Sequence, residues 1–146
     1  CGTASEIMAL AGYSSVTKGP ESTSSSADAL HAARELALHT GAAVLVTGRT
    51  DYSTDGRQVT ATENGHAMMS RVTGVGCSMG ALSAACAAVS PTPLQAAVFT
   101  AVLMGIAGEM AFEQSPSPGS FAVSLLDSLY ALSPEDVVRR ARFLSL

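Results

Sequence analysis

Two rhythms of apolar and polar positions run along this chain. Thr3-Ala4-Ser5-Glu6 is polar where a capping box needs it: Thr3 can cap a helix and Glu6 can reach back to the Thr3 backbone N–H. The helix so predicted covers residues 4–10 and closes near Gly12. Residues 13–26 are rich in Ser, Gly and Pro and read as a loop. Leu30, Ala33, Ala37 and Leu38 then give one apolar face to a helix over 27–39, stopped by Gly41. Ala43-Val44-Leu45-Val46-Thr47 abandons that rhythm for a continuous apolar run between Gly41 and Gly48, the pattern of a strand buried on both faces. Asp55-Gly56 predicts a hairpin turn between strands at 51–54 and 57–62. Asn64-Gly65 marks a further turn, and 68–73 reads as one more strand.

Beyond it the pattern is helical, over 75–88, 93–113 and 120–130. Ser133-Pro134-Glu135-Asp136 starts a terminal helix with a cap, a first-turn proline and acids that favour the dipole. Val137, Val138, Ala141 and Leu144 give that helix an apolar stripe. No internal repeat is visible. The order helix, strand, hairpin, strand, helices argues for an α/β fold, a partly antiparallel sheet with helices on its faces. The first half of such a sheet is missing from the pattern, and the chain opens at Cys1 rather than Met. It reads as a single partial domain over 1–146, cut from something longer.

Composition sharpens this picture. At 146 residues the chain has room for about one domain with a real core. Hydrophobic residues make up 47% and charged ones 14%. Mean hydropathy is +0.30, apolar enough to suggest surface meant for a partner. A net charge of −4 with only 8 Lys and Arg argues against nucleic acid or an anionic membrane as partner. The longest apolar stretch, 96–108, is short for a bilayer span and ends at Glu109, so it reads as a buried helix. There is no signal-peptide pattern. Three unevenly spaced cysteines suit a reducing, cytoplasmic setting better than a disulfide scaffold.

Candidate chemistry concentrates in Arg71-Val72-Thr73-Gly74-Val75-Gly76-Cys77-Ser78. A β-branched run feeds a Gly-x-Gly turn, and an Ala-rich helix begins directly behind it. This order gathers the N–H groups of Val75, Gly76 and Cys77 at the positive end of a helix dipole, an anion hole with a sulfur at its edge. The plainer alternative is an ordinary strand-to-helix turn with a buried cysteine. The segment is neither a Walker A loop, which needs a following Lys-Ser/Thr, nor the Gly-x-Gly-x-x-Gly dinucleotide fingerprint.

Four ordered motifs carry a resemblance. Cys1-Gly2-Thr3-Ala4-Ser5-Glu6-Ile7 resembles the Arg-Gly-Asn-x-x-Glu-Ile segment of hydroxyethylthiazole kinases, members of the ribokinase-like superfamily. Thr47-Gly48-Arg49-Thr50-Asp51 with Thr54-Asp55-Gly56 resembles that family's Thr-Gly-x-x-Asp strand and hairpin. Val72 to Cys77 resembles its Val-Thr-Gly-x-Gly-Cys anion hole, and Pro118-Gly119-Ser120-Phe121 its Gly-Pro-Gly-Ser-Phe segment. The likeness covers essentially the whole chain but only the second half of a typical member. It implies a ribokinase-like α/β fold, here the C-terminal portion of a mixed sheet flanked by helices. It further implies ATP-dependent phosphorylation of the primary alcohol of 5-(2-hydroxyethyl)-4-methylthiazole in thiamine salvage, with Mg²⁺. Carried over by position, Thr47 and Cys1 fall at ATP contacts, Gly74 at a thiazole contact, Cys77 at the catalytic base, and Glu6 at a water-mediated Mg²⁺ ligand. The family further implies trimers with active sites between subunits, so a homotrimer or a separate N-terminal half is the expected partner.

Three departures stand against this pattern. Cys1 replaces an Arg, and a thiol cannot reproduce its bidentate cationic fork. Thr3 replaces an Asn, which leaves its helix-cap role as the simpler reading. The upstream half, with an Asp-Pro-Val-Gly segment near the metal, is absent. A non-catalytic remnant or interaction module is therefore the alternative, ahead of a ribokinase-like kinase for another small alcohol. Elsewhere His31, His39 and His66 read as solvated, Cys86 and the methionines as core, and Asp51 and Asp55 as hairpin residues. Arg139, Arg140 and Arg142 read as a basic helix end that favours the dipole and does no more.

Overall fold

The structure is a computed structural model that describes residues 1–13 and 26–146. Apart from its ends, the loop expected over 13–26 lies outside the described residues. The chain runs β1 (Gly2–Thr3), α1 (Ala4–Leu10), α2 (Leu30–Thr40), β2 (Val44–Thr47), β3 (Asp51–Thr54), β4 (Val59–Thr62), a 3₁₀ turn (Ala67–Arg71), α3 (Val75–Val89), α4 (Pro93–Gln114), α5 (Pro118–Ala131), α6 (Pro134–Arg140) and β5 (Phe143–Ser145). Five strands form one mixed sheet in the order β1-β2-β3-β4-β5. β1 and β2 are parallel, with Thr3 opposite Thr47, and the other pairs are antiparallel.

β2 explains why helices cover both faces. Val44 and Val46 point to one side and pack with Ala4, Ile7, Ala33 and Ala37 of α1 and α2. Leu45 points to the other and joins Met79, Met104, Phe121 and Leu125 of α3, α4 and α5. The continuous apolar run is thus a strand buried on both faces, as the pattern predicts. The Asp55-Gly56 hairpin also forms: Asp55 Oδ1 accepts N–H bonds from Arg57 (2.9 Å) and Gln58 (2.8 Å), which hold its carboxyl below the ordinary carboxylate range.

α4 is 22 residues long, longer than the apolar stretch at its centre, and by length and composition it could cross a membrane. Its Ala101, Met104, Ala107 and Ala111 instead fill the protein core.

Two expectations fail at the far edge of the sheet. Residues 68–73 do not form a strand; Ala67–Arg71 is a 3₁₀ turn. His66 starts that turn by accepting the Met68 N–H at Nδ1 (3.1 Å), while its ring stacks on Phe112 at a centroid distance of 3.6 Å. His66 is therefore a structural cap rather than a solvated side chain. The terminal helix stops at Arg140, and Leu144 lies in β5, not on a helical stripe. The cause is Asn64, buried beyond the end of β4: its Nδ2 donates to Arg140 O (2.9 Å) and its Oδ1 accepts Arg142 N–H (2.8 Å). That bracket turns the chain onto the open edge of β4, where unpaired backbone groups complete a ladder. The basic cluster is more than a dipole complement. Arg140 forms a bidentate pair with Glu113 (2.7 and 3.1 Å), and Arg142 donates to Glu109 (2.5 Å).

Candidate active site

In open α/β sheets, ligands gather beyond the carboxyl ends of the parallel strands. Here those ends are Thr3 and Thr47, which sit opposite each other. Glu6 lies in the first turn of α1, and its Oε2 accepts the Thr3 N–H at 2.7 Å. Thr3, Glu6 and Thr47 are therefore brought together at one end of the sheet.

The amino end of α3 projects toward the same end. Ser83, in mid-helix, lies beside Cys1 at the start of β1, with Ser83 Oγ 3.9 Å from Cys1 Sγ. Ala87, nearer the carboxyl end, lines a groove with Ala42 and Ala43 ahead of β2. The amino end must then extend the other way, past the strand ends, with Val75 about 12 Å from Ser83 at the helical rise. Cys1 itself lies beside the middle of α3 and is not brought to its amino end.

Gly74 makes the turn possible. Its φ of 96° and ψ of −10° fall in the left-handed region, where a β-carbon is disfavoured. Its carbonyl accepts the first helical bond, from Ser78 N at 2.9 Å. The amides of Val75, Gly76 and Cys77 precede that bond and have no partner inside the helix, and Gly74 has no side chain with which to cap them. A β-carbon placed on Gly74 or Gly76 would meet none of the described residues within 4 Å. Cys77 is exposed at the rim and Cys86 is buried. This geometry suits an anionic group held by three N–H donors and the helix dipole, with a thiol alongside.

Reading residues one at a time missed one feature here. Asp51 is only 8% exposed, and its Oδ1 accepts the Gly48 N–H at 2.9 Å, directly after Thr47. Burial pushes its carboxyl up to about 6 against the pull of that bond. The signal was present as an acid three residues after a glycine at a strand end, a spacing that lets a carboxylate close the turn. Asp55, in contrast, is a half-buried hairpin residue whose carboxyl closes the turn, as expected.

The chain matches the profile of the hydroxyethylthiazole kinase family over residues 1–135. It is 99% identical over 145 residues to a hydroxyethylthiazole kinase of Akkermansia muciniphila, covering 99% of this chain and 54% of that protein. It is 53% identical over 131 residues to one from Granulibacter bethesdensis, covering 90% of this chain and 48% of that protein. Among solved structures, a hydroxyethylthiazole kinase protein from Pyrococcus horikoshii superimposes with a TM-score of 0.85 at 37% identity, covering 99% of this chain and 53% of that one. The chain thus spans about half the length of the relatives it matches. Motifs, fold and profile agree over the same residues, and the chain belongs to the hydroxyethylthiazole kinase family.

Proposed function

We propose that this chain forms the nucleotide-side half of a cytoplasmic kinase for the primary alcohol of 5-(2-hydroxyethyl)-4-methylthiazole, acting in thiamine salvage. The observation that carries the reading is the left-handed Gly74 turn, which leaves the Val75, Gly76 and Cys77 amides without a helical partner beside the exposed Cys77 thiol. In phosphoryl transfer the protein's work is chiefly positioning and charge stabilisation, and preorganised amides supply both. The alcohol oxygen attacks the γ-phosphorus of ATP while the bond to the ADP oxygen breaks. Cys77 accepts the alcohol proton, and the amides of Val75, Gly76 and Cys77 hold the charge on the moving group. Thr47 serves the nucleotide, and Gly74 lets the thiazole approach close to the backbone.

Magnesium fits this donor set. Glu6 commits Oε2 to the Thr3 amide, and the described residues form no cluster of three ligating side chains. Glu6 would hold the ion through water, with phosphates completing the shell, as is usual for a cation that dehydrates reluctantly. When bound, it neutralises phosphate charge. A homotrimer is the assembly proposed from the family resemblance.

The test is transfer of labelled phosphate from ATP to the thiazole alcohol, by this chain alone and joined to the upstream half of the Akkermansia relative. The joined protein should phosphorylate the alcohol well above background; failure to do so sinks the reading. A second reading, a non-catalytic remnant, draws on the Thr3–Glu6 bond, which serves as a helix cap without any metal. Nucleotide binding without transfer in the joined protein is what it expects.

A further inference from the structure

The turn that follows Thr47 is pinned from two sides, and neither pin is needed to join two adjacent strands. Asp51 Oδ1 takes the Gly48 N–H at 2.9 Å, and Ser26 Oγ donates to Thr50 O at 2.5 Å. Both side chains are 8% exposed. Ser26 also fills the space beside Gly48, where a β-carbon would come within 2.7 Å of its Oγ. The turn therefore combines a glycine, a side-chain oxygen acceptor and a hydroxyl donor.

We infer that Asp51 is a positioning residue of the nucleotide side: by clamping the Gly48 amide, it fixes the turn that presents Thr47. The inference rests on the proposed role of Thr47 as an ATP contact. Its physical motive is the poor return to the fold. Among the described residues the buried Asp51 carboxyl accepts one hydrogen bond, and removal from water destabilises its charged form. A neutral side chain could close the same turn more cheaply. Features that burden stability yet fix backbone geometry collect at functional sites. This one lies at the carboxyl end of β2, next to Thr3 and Glu6.

The test uses Asp51→Ala, Asp51→Asn and Thr47→Ala in this chain joined to the upstream half of the Akkermansia relative. Three quantities are read: hydrogen exchange at the Gly48 amide, ATP affinity by calorimetry, and affinity for the thiazole alcohol. Asp51→Ala should speed Gly48 exchange and weaken ATP binding about tenfold, the scale of one lost charge-assisted bond. Thiazole affinity should stay within about twofold. Asp51→Asn keeps an oxygen acceptor and should restore both exchange and ATP affinity, which also guards against a variant that merely fails to fold. Unchanged Gly48 protection or ATP affinity in Asp51→Ala overturns the inference, as does equal weakening of both ligands. Thr47→Ala separates the two claims: if it leaves ATP affinity intact, the assignment of Thr47 falls, whatever Asp51 does to the turn.

Discussion

At the scale of single residues, Cys77 and Asp51 make opposite demands. Cys77 is exposed at the start of α3 and contributes little to the core, so its substitution should read out in chemistry. Cys77→Ala is expected to lower the transfer rate about 100-fold, the low end of what a positioned base supplies. Cys77→Asp should keep or raise it; equal rates for all three would remove the thiol from the mechanism. Asp51 should read out in stability. Its folded value of about 6 lies above the ordinary 3.8, so burial favours the protonated form. Its stabilising contribution is full below about pH 3.8 and is lost as pH rises through about 6. Asp51→Asn cannot ionise and should exceed the parent protein by up to about 3 kcal/mol at pH 8, with no advantage near pH 4. Thermal melts at the two pH values decide this, and an equal gain at both would contradict it. Neither the exposure of Cys77 nor the burial of Asp51 could be read from the chain. Both depend on which elements pack behind the turn.

At the scale of elements, legibility followed local chemistry. The capping start of α1, the β2 run, the Asp55-Gly56 hairpin and α3, α4 and α5 all carry their signals within a few residues. The Met68–Thr73 run and the end of the chain do not. Their conformations are set by Phe112 stacking on His66 and by Asn64 bracketing the chain after α6, contacts between residues distant in sequence. β1 went unread as a strand because two residues carry no period, and only pairing with β2 defines it. Asn64 is the element most open to test. Asn64→Ala removes bonds to Arg140, Arg142 and Glu109 and should cost about 2–3 kcal/mol, with loss of protection across β5 in hydrogen exchange. A loss below about 0.5 kcal/mol would show that β5 docks without it. Gly74→Ala should instead strain the turn into α3 by about 1–2 kcal/mol and weaken phosphate binding more than it shifts the melt.

At the scale of the whole molecule, several large apolar side chains stay exposed. β1 is an edge strand, and beside it a groove of about 310 Å³ is lined by Cys1, Leu45, Ser83, Ala87, Ala97 and Thr100. Val89 at the end of α3 is 84% exposed. The relatives are about twice as long as this chain. Joining the upstream half should raise the melting midpoint by about 5 °C or more and reduce binding of a hydrophobic dye. Unchanged values would mean the groove is covered by another element or not at all.

Whether the three amides at the start of α3 receive the migrating phosphoryl group can be watched directly. The backbone resonances of Val75, Gly76 and Cys77 in the joined protein are followed by NMR as ADP, Mg²⁺, the thiazole alcohol and aluminium fluoride, a mimic of the transferring group, are added. These three amides should shift together and saturate with the mimic, beyond any change caused by ADP alone. Amides that stay in place while the mimic binds elsewhere would contradict it.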